Sequence, residues 1–469
     1  MKKFTRILIC LMLCVFSLGF VACDKRTEEE KNFTYPTSAD LVEGNGGLAV
    51  KKGNYIYFVN GYTSITEGGL TSETTFMQGS LMLTRLDADG NLIKNDNGSI
   101  KDEHFITISN ALCGYEVTDL FIFGDYLYFV SPCKETESGG KVWAKERVVF
   151  NRIKLDKTSG VEEVYRSGVK LENLEYKYYV ANGNLNILVW EKGTVYYEEN
   201  GNTNALIKVD ATAKSHEIIE NNVLEVEFAD EFTQVFYKTK KDTNYYLTQF
   251  NVANNAKTSY NTFNRDFEIL AVEKSAEIDK VFIKIAHAVG SGKTDIQSSV
   301  ISTRQGFETL YSYEGTNTVE ITKDGNVVLI NGNTFTFVKG LDETVKVTDE
   351  SASSIEVIDY TNGCILYYAT KDGTLNINLV SYSNAMSYEP GSKVEIKTLT
   401  TLSEIGDGYV YISDFSEDEN MLYFYKLSGD DYYLNRIKVN FNVDEVEEMI
   451  GVYEEADAPI VEEEEIEEE

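Results

Sequence analysis

One short phrase recurs along this chain, and its recurrence limits the available folds more than any other feature. The phrase is a turn containing Gly, Asn or Asp, followed by an aromatic and β-branched run. It reads GNYIYFVN (53–60), GDYLYFVS (124–131), GNLNILVW (183–190), FTQVFYK (232–238), KVFIKIA (280–286), GNVVLING (325–332), GCILYYAT (363–370) and, more loosely, ENMLYFYK (419–426). Each copy alternates as a strand does, in residue types that suit a pleated surface. The interval is about fifty residues, and a fixed period of that size marks stacked supersecondary units.

The neighbours of the phrase recur as well. Around the second copy stand EVTDLFIF (116–123), YLYFVS (126–131), VVFNRIKLD (148–156), a turn at KTSG (157–160) and VEEVYR (161–166). The last copy repeats the order with GYVYISDF (408–415), MLYFYKL (421–427), YYLNRIKV (432–439) and EEMIGVY (447–453). Each unit therefore reads as four strands joined by hairpins. Eight units begin near residues 46, 115, 173, 222, 267, 318, 354 and 405. A lone four-stranded sheet with two apolar faces can bury neither, whereas radial stacking buries both. The expected fold is all-β, a β-propeller of eight four-stranded blades spanning 45–453, with seven blades as the alternative if units six and seven merge. Two packed β-sandwiches are the competing architecture, but they need no regular internal period. Convincing amphipathic helical patterns are missing beyond the N-terminal segment, which argues against an α/β periplasmic-binding fold.

The phrases GDYLYFV and NRIKLDKTSG resemble the YWTD-type propeller repeats of low-density-lipoprotein-receptor-like domains and of many bacterial lipoproteins. The resemblance covers most of 46–453 in period and is sharpest in units one, two and eight. The Tyr-Trp-Thr-Asp signature itself does not occur, and Trp appears only at Trp143 and Trp190. Propellers that hold a quinone repeat a Trp in every blade, so no cofactor is expected.

The N-terminus carries an address. Lys2, Lys3 and Arg6 precede an apolar run from Ile7 to Val21, and a polar stretch begins at Asp24. That run is shorter than the roughly 20 residues a spanning helix requires, and the layout is that of an export signal. Gly19-Phe20-Val21-Ala22-Cys23 resembles the lipobox of bacterial lipoproteins. The resemblance implies a signal peptide over 1–22, removed on export, and acyl chains such as palmitate on Cys23. It also implies a protein lipid-anchored to the cell membrane on its extracytoplasmic face. Each buried CH₂ contributes about 0.8 kcal/mol, so two or three chains hold firmly. Residues 23–44 then act as a polar tether.

Charge narrows the partners. The formal net charge is −33, with 76 acidic residues against 43 basic ones. Nucleic acid is excluded, since neutralising phosphates takes Lys and Arg. Residues 454–469 are an acidic tail that self-repulsion keeps extended, and it is read as disordered.

Candidate chemistry is sparse. Outside the signal and Cys23, the cysteines are Cys113, Cys133 and Cys364, without zinc spacing. A Cys113–Cys133 disulfide is possible across the turn at Gly124-Asp125, although three buried thiols are the simpler reading. His104, His216 and His287 fall in separate units, so no metal site is expected. Val289-Gly290-Ser291-Gly292-Lys293-Thr294 superficially suggests a phosphate loop, but a strand follows where a helix is needed, so a hairpin is expected. Asp87-Ala88-Asp89-Gly90-Asn91 and Asp96-Asn97-Gly98 have calcium-loop spelling yet read as tight turns. No G-x-S-x-G elbow supports a Ser-His-Asp triad. Two insertions, Gly61 to Gln78 and Pro132 to Glu146, stand where scaffolds commonly carry binding loops. The expected role is a non-catalytic binding or interaction module for a protein or glycan ligand. The alternative is a carbohydrate-active, glycosidase-like enzyme on the same scaffold, for which no carboxylate pair stands out.

Overall fold

The structure is a computed structural model. It describes residues 31–448 apart from 66–75, 95–104, 115–118, 138–139, 170–172, 195–202, 230–232, 275–280, 301–305, 389–393, 403–412, 429–430 and 440–445. Six separate sheets of four antiparallel strands follow one another along the chain. A nine-stranded sheet accounts for the rest: it is a first and a last blade of four strands each, plus the short strand Val42–Glu43. The two blades are joined at one residue pair, Tyr62 with Tyr432. The chain is thus an eight-bladed β-propeller, and the seven-bladed alternative falls away because units six and seven form separate sheets.

The first strands of the blades are Ala49–Lys52, Phe121–Phe123, Leu174–Ala181, Val223–Phe228, Glu268–Lys274, Thr318–Ile321, Ser354–Thr361 and Ser413–Ser416. First strands approach one another between blades 4 and 5, 5 and 6, and 7 and 8, which places the first strands around the central channel. The second strands are Tyr55–Ile65, Tyr126–Glu137, Asn184–Thr194, Gln234–Lys241, Val281–Gly290, Val327–Asn331, Cys364–Lys371 and Met421–Ser428. All eight copies of the recurrent phrase are therefore the same strand of the blade. The reason is burial: the second strand is covered on both faces by adjacent blades, so its composition is the most restricted.

Apolar side chains fill the spaces between blades. Val130, Phe150, Ile187 and Val209 pack between blades 2 and 3. Leu188, Trp190, Val235 and Tyr237 fill the next space, and Phe236, Leu247, Ile283 and Ile285 the one after it. A single continuous cluster joins blades 8, 1 and 2 through Tyr425, Phe58, Leu81, Phe129 and Ile153. Each fully buried side chain of this size contributes about 1.5–3 kcal/mol. Tyrosine serves these spaces by burying its ring and sending its hydroxyl to a carbonyl of the next blade. Tyr57 donates to the Leu155 carbonyl at 3.1 Å, Tyr179 to Ala229 at 3.2 Å and Tyr425 to Val59 at 3.2 Å. That use accounts for part of the abundance of Tyr, 31 residues in all. A single helical turn, Tyr382–Met386, lies between the third and fourth strands of blade 7.

Every blade is built from consecutive strands, so no strand is exchanged between the first blade and the last. Other contacts close the ring. The Leu48 N–H donates to Asp414 Oδ2 at 3.3 Å, and the Gly44 N–H to Asp418 Oδ2 at 3.2 Å. The buried Arg436 of blade 8 donates through Nη2 to the Gly90 carbonyl at 2.9 Å. Gly47 lies where a Cβ would stand 1.9 Å from Asp414 Oδ2. On its other side, the Gly47 carbonyl accepts the Leu120 N–H of blade 2 at 2.8 Å, and the Gly46 N–H donates to the Leu120 carbonyl at 2.9 Å.

The seam gives a direct test. Gly47→Ala is expected to cost about 1–3 kcal/mol, the range for overpacking. In an Asp414→Ala background the same change costs little, because the obstructing carboxylate is gone. A double-mutant cycle from denaturant unfolding measures this, and equal costs in both backgrounds contradict the packing account.

Candidate functional site

Seven of the eight blades place an acid on or beside the first strand. Asp119 comes from blade 2, Glu175 from blade 3, Glu225 and Glu227 from blade 4, and Glu273 from blade 5. Glu320, Asp359 and Asp414 come from blades 6, 7 and 8. The first strand of blade 1 carries Lys51 and Lys52 and no acid, and Lys51 pairs at 2.6 Å with Glu43 of the short strand beside it. The strands converge on the channel, so the acids converge with them.

Some of these charges are balanced within the chain. Lys238 pairs with Glu225 at 2.7 Å, and Lys284 with Glu273 at 2.6 Å. Lys323 lies 3.5 Å from Asp359, and Tyr360 donates to Glu320 Oε2 at 2.8 Å. Burial nevertheless outweighs these partners and holds Glu225, Glu273, Glu320 and Asp359 above the usual carboxylate range.

Three acids are displaced further. Burial pushes Asp119 up to about 7, with the Asp414 charge adding to the shift. Asp414 itself is pushed up to about 6 by burial, which its bond from the Leu48 N–H only partly offsets. Glu227 reaches about 7 for the same reason, against a partial offset from Lys177. Lys177 is lowered by its own burial. Around Asp119 stands an aromatic wall: its N–H donates to the Tyr176 hydroxyl at 3.2 Å, Tyr176 meets Tyr178 edge to face at 5.7 Å, and Tyr178 stacks on Phe121 at 4.8 Å.

Opposite the turns that join first to second strands, two hairpins extend one face of the ring. In blade 1, Thr63, Ser64 and Ile65 continue to pair with Gln78, Met77 and Phe76. In blade 2, pairing runs out to Glu137 with Gly140. The blade-1 hairpin reaches the blade-8 hairpin at Tyr62 and Tyr432. Both insertions are thus prolonged second-to-third-strand hairpins, on the same rim. Residues 66–75 and the inserted side chains lie outside the described residues.

The other sequence candidates are scattered. His216 meets Tyr165 edge-on in blade 3, His287 sits on the second strand of blade 5, and His104 is outside the described residues. Ser291 and Gly292 form the tight turn between Gly290 and Lys293, with positive φ at all of Gly290, Ser291 and Gly292. Asp87 Oδ1 accepts the N–H groups of Asp89 and Asn91 at 2.9 Å each, so it caps a turn. Cys364 is a buried free thiol that burial pushes up to about 11. Cys23, Asp96-Asn97-Gly98, the tail 454–469 and the Cys113 and Cys133 side chains lie outside the described residues. Among the described residues no group of three or more His, Cys, Asp or Glu could hold a metal ion, and no helix is long and apolar enough to cross a membrane.

The fold defines the class, a β-propeller built of eight consecutive blades. No family model matches the chain, and no curated protein matches it. Among solved structures it is similar to TolB from Acinetobacter baumannii, at 11% identity over 66% of this chain and 77% of that one, with a TM-score of 0.34. It is similar also to the β-propeller domain of the Trilobed protease from Pyrococcus furiosus, at 11% identity over 68% and 92%, with a TM-score of 0.42. A third is a prolyl endopeptidase, at 13% identity over 68% and 49%, with a TM-score of 0.43. This chain spans about half the length of that endopeptidase. The likeness is one of fold.

The raised acids fix a pH dependence. The folded chain keeps protons on Asp119, Asp414 and Glu227 that the unfolded chain has already lost. Stability therefore falls as pH rises from about 4 to about 7 and levels off above. Glu227→Gln removes one such group. Relative to the parent it gains roughly 1–2 kcal/mol at pH 8 and nothing near pH 4. Thermal melts across that range check the sign; a variant that loses stability at pH 8 refutes it.

Proposed function

We propose that the chain is a membrane-anchored extracytoplasmic lipoprotein whose propeller acts as a non-catalytic binding module. The anchor reading rests on the sequence Val21-Ala22-Cys23 behind a basic and apolar leader. The binding reading is carried by one observation: the hairpins of blades 8, 1 and 2 are neighbours on one face and join through Tyr62 and Tyr432. Such a platform is rigid at its base and prolonged at its tip, which suits recognition of a protein or a glycan. Acyl chains on Cys23 and the polar stretch just after it hold that platform at the cell surface; from Phe33 onward the chain already packs on blade 1.

Two measurements test the two halves. Cys23→Ser is expected to abolish palmitate labelling and move the protein from the membrane fraction to the soluble one; unchanged fractionation removes the anchor. Replacing 61–78 and 132–146 by short turns is expected to abolish recovery of cell-surface partners while the thermal melt of the ring persists. Equal recovery by both forms removes the platform. Sugar release by the purified chain, lost in Asp119→Asn, assigns the carbohydrate-active alternative instead.

A further inference from the structure

On the channel wall between blades 8, 1, 2 and 3, neither Asp414 nor Asp119 has an ion-pair partner among the described residues, and Lys51 of blade 1 pairs with Glu43 instead. Asp414 and Asp119 approach from either side of blade 1, at the place where Gly47 has no side chain to separate them. Asp414 fills the space a Gly47 Cβ would take, and its nearest donor is a backbone N–H at 3.3 Å. Asp119 is reached by the Asp414 charge and by the Tyr176 hydroxyl. The cation nearest to Asp119, Lys177, is shared with Glu227.

A second observation points to a missing occupant. Tyr178 is only 7% exposed, yet its hydroxyl has no hydrogen-bond partner. That hydroxyl lies within electrostatic reach of the Asp119 carboxylate. Leaving a buried hydroxyl unpaired costs about 1–3 kcal/mol, so such a group is uncommon without a purpose. Ser416, 4% exposed and two residues beyond Asp414 on its strand, also has an unpartnered hydroxyl.

The occupant's chemistry follows from the spacing. No three acids among the described residues stand close enough to share a metal ion. Carboxylates spread along a wall, with Tyr rings and a free hydroxyl between them, suit cationic groups spread along a chain. Tyr faces attract ammonium groups within about 6 Å, and a buried carboxylate bonds an N–H donor strongly. We infer that the channel beside Gly47 is a binding site for an organic polycation bearing primary ammonium groups, with Asp119 and Asp414 as counter-charges and the Tyr178 hydroxyl as a hydrogen-bonding partner. The same ammonium chemistry is offered by a free polyamine and by lysine side chains of a basic peptide.

Proton and ligand compete for the same carboxylates. The groups facing Asp119 are Asp414, Tyr176, Tyr178 and Lys177. Those facing Asp414 are Asp119, Asp359 and Glu419. Lys323 lies 3.5 Å from Asp359 and Lys51 3.9 Å from Glu419, so those two acids have cations of their own, whereas Asp119 and Asp414 have between them only the reach of Lys177 toward Asp119. Deprotonating both adds negative charge and strengthens cation binding. Binding therefore releases protons between about pH 6 and about pH 7 and tightens as pH rises.

The test is calorimetric titration of the purified full chain in detergent with spermidine, and separately with tetralysine, at physiological salt. One-to-one spermidine binding at least tenfold tighter at pH 8 than at pH 5.5 is expected, with heats that depend on buffer ionisation. Asp119→Asn combined with Asp414→Asn is expected to weaken it tenfold or more, and Tyr178→Phe several-fold. Glu308→Gln, an exposed change on the outer strand of blade 5, leaves it unaltered. Tighter binding of tetralysine than of spermidine identifies a protein partner's lysines as the source; the reverse identifies a free polyamine. The proposal is overturned by absent binding, by equal binding to the double variant, or by displacement with magnesium at equal concentration. Circular dichroism at pH 8 separates loss of binding from loss of fold, and the conservative Tyr178→Phe keeps the test open if the double variant unfolds. The anchor and the hairpin platform stand or fall separately, because neither takes part in this titration.

Discussion

A blade with two apolar faces is stable only if it has a neighbour on both sides, and the blades at the two ends of the chain can find theirs only in each other. Everything else in this molecule depends on that closure. Many rings could secure it by weaving a terminal strand into the opposite blade; this one keeps all blades consecutive. The work passes to the apolar cluster joining blades 8, 1 and 2 and to a few directed bonds. Tyr425 to the Val59 carbonyl and Arg436 to the Gly90 carbonyl both span more than three hundred residues of chain. Such bonds contribute about 1 kcal/mol each, more where a charge is involved. The cluster supplies the free energy, and the bonds set the register.

The period was legible because the second strand is the most enclosed. Sequences such as YIYFV (55–59) and LYFV (127–130) are buried throughout and admit few residue types. Five of the expected unit starts fall within one residue of an observed first strand, at Leu174, Val223, Glu268, Thr318 and Ser354. The insertions were legible as interruptions, but their form as prolonged hairpins was not. A run such as GYTSITEGG gives no indication that its first residues continue a ladder, because edge pairing is a backbone interaction that many sequences allow.

The acids of the channel were hidden by their number. In a chain with 76 acidic residues, Asp119, Glu227 and Asp414 are three among many. Alternation along a strand says which side chains share a face; it does not say which edge of the sheet turns inward. A signal did exist. Aligning the units places an acid in the first strand of nearly every one, as in LEYKYYVA (174–181), VLEVEF (223–228), TVEI (318–321) and SIEVIDYT (354–361). Charges carried on or beside the first strand of successive units lie near the innermost radius of the ring, where they come together.

Closure and channel chemistry are therefore coupled through the same few atoms. Asp414 accepts the bond from Leu48 that fastens blade 8 to blade 1, and it is also the acid nearest Gly47 on the channel wall. Gly47 in turn bridges to Leu120, the residue that follows Asp119. Ionising both acids raises the repulsion across the one blade whose first strand has no acid of its own. A proton relieves that repulsion, and so does a bound cation. Whatever neutralises the wall also tightens the seam, so occupation of the channel and integrity of the ring must rise and fall together.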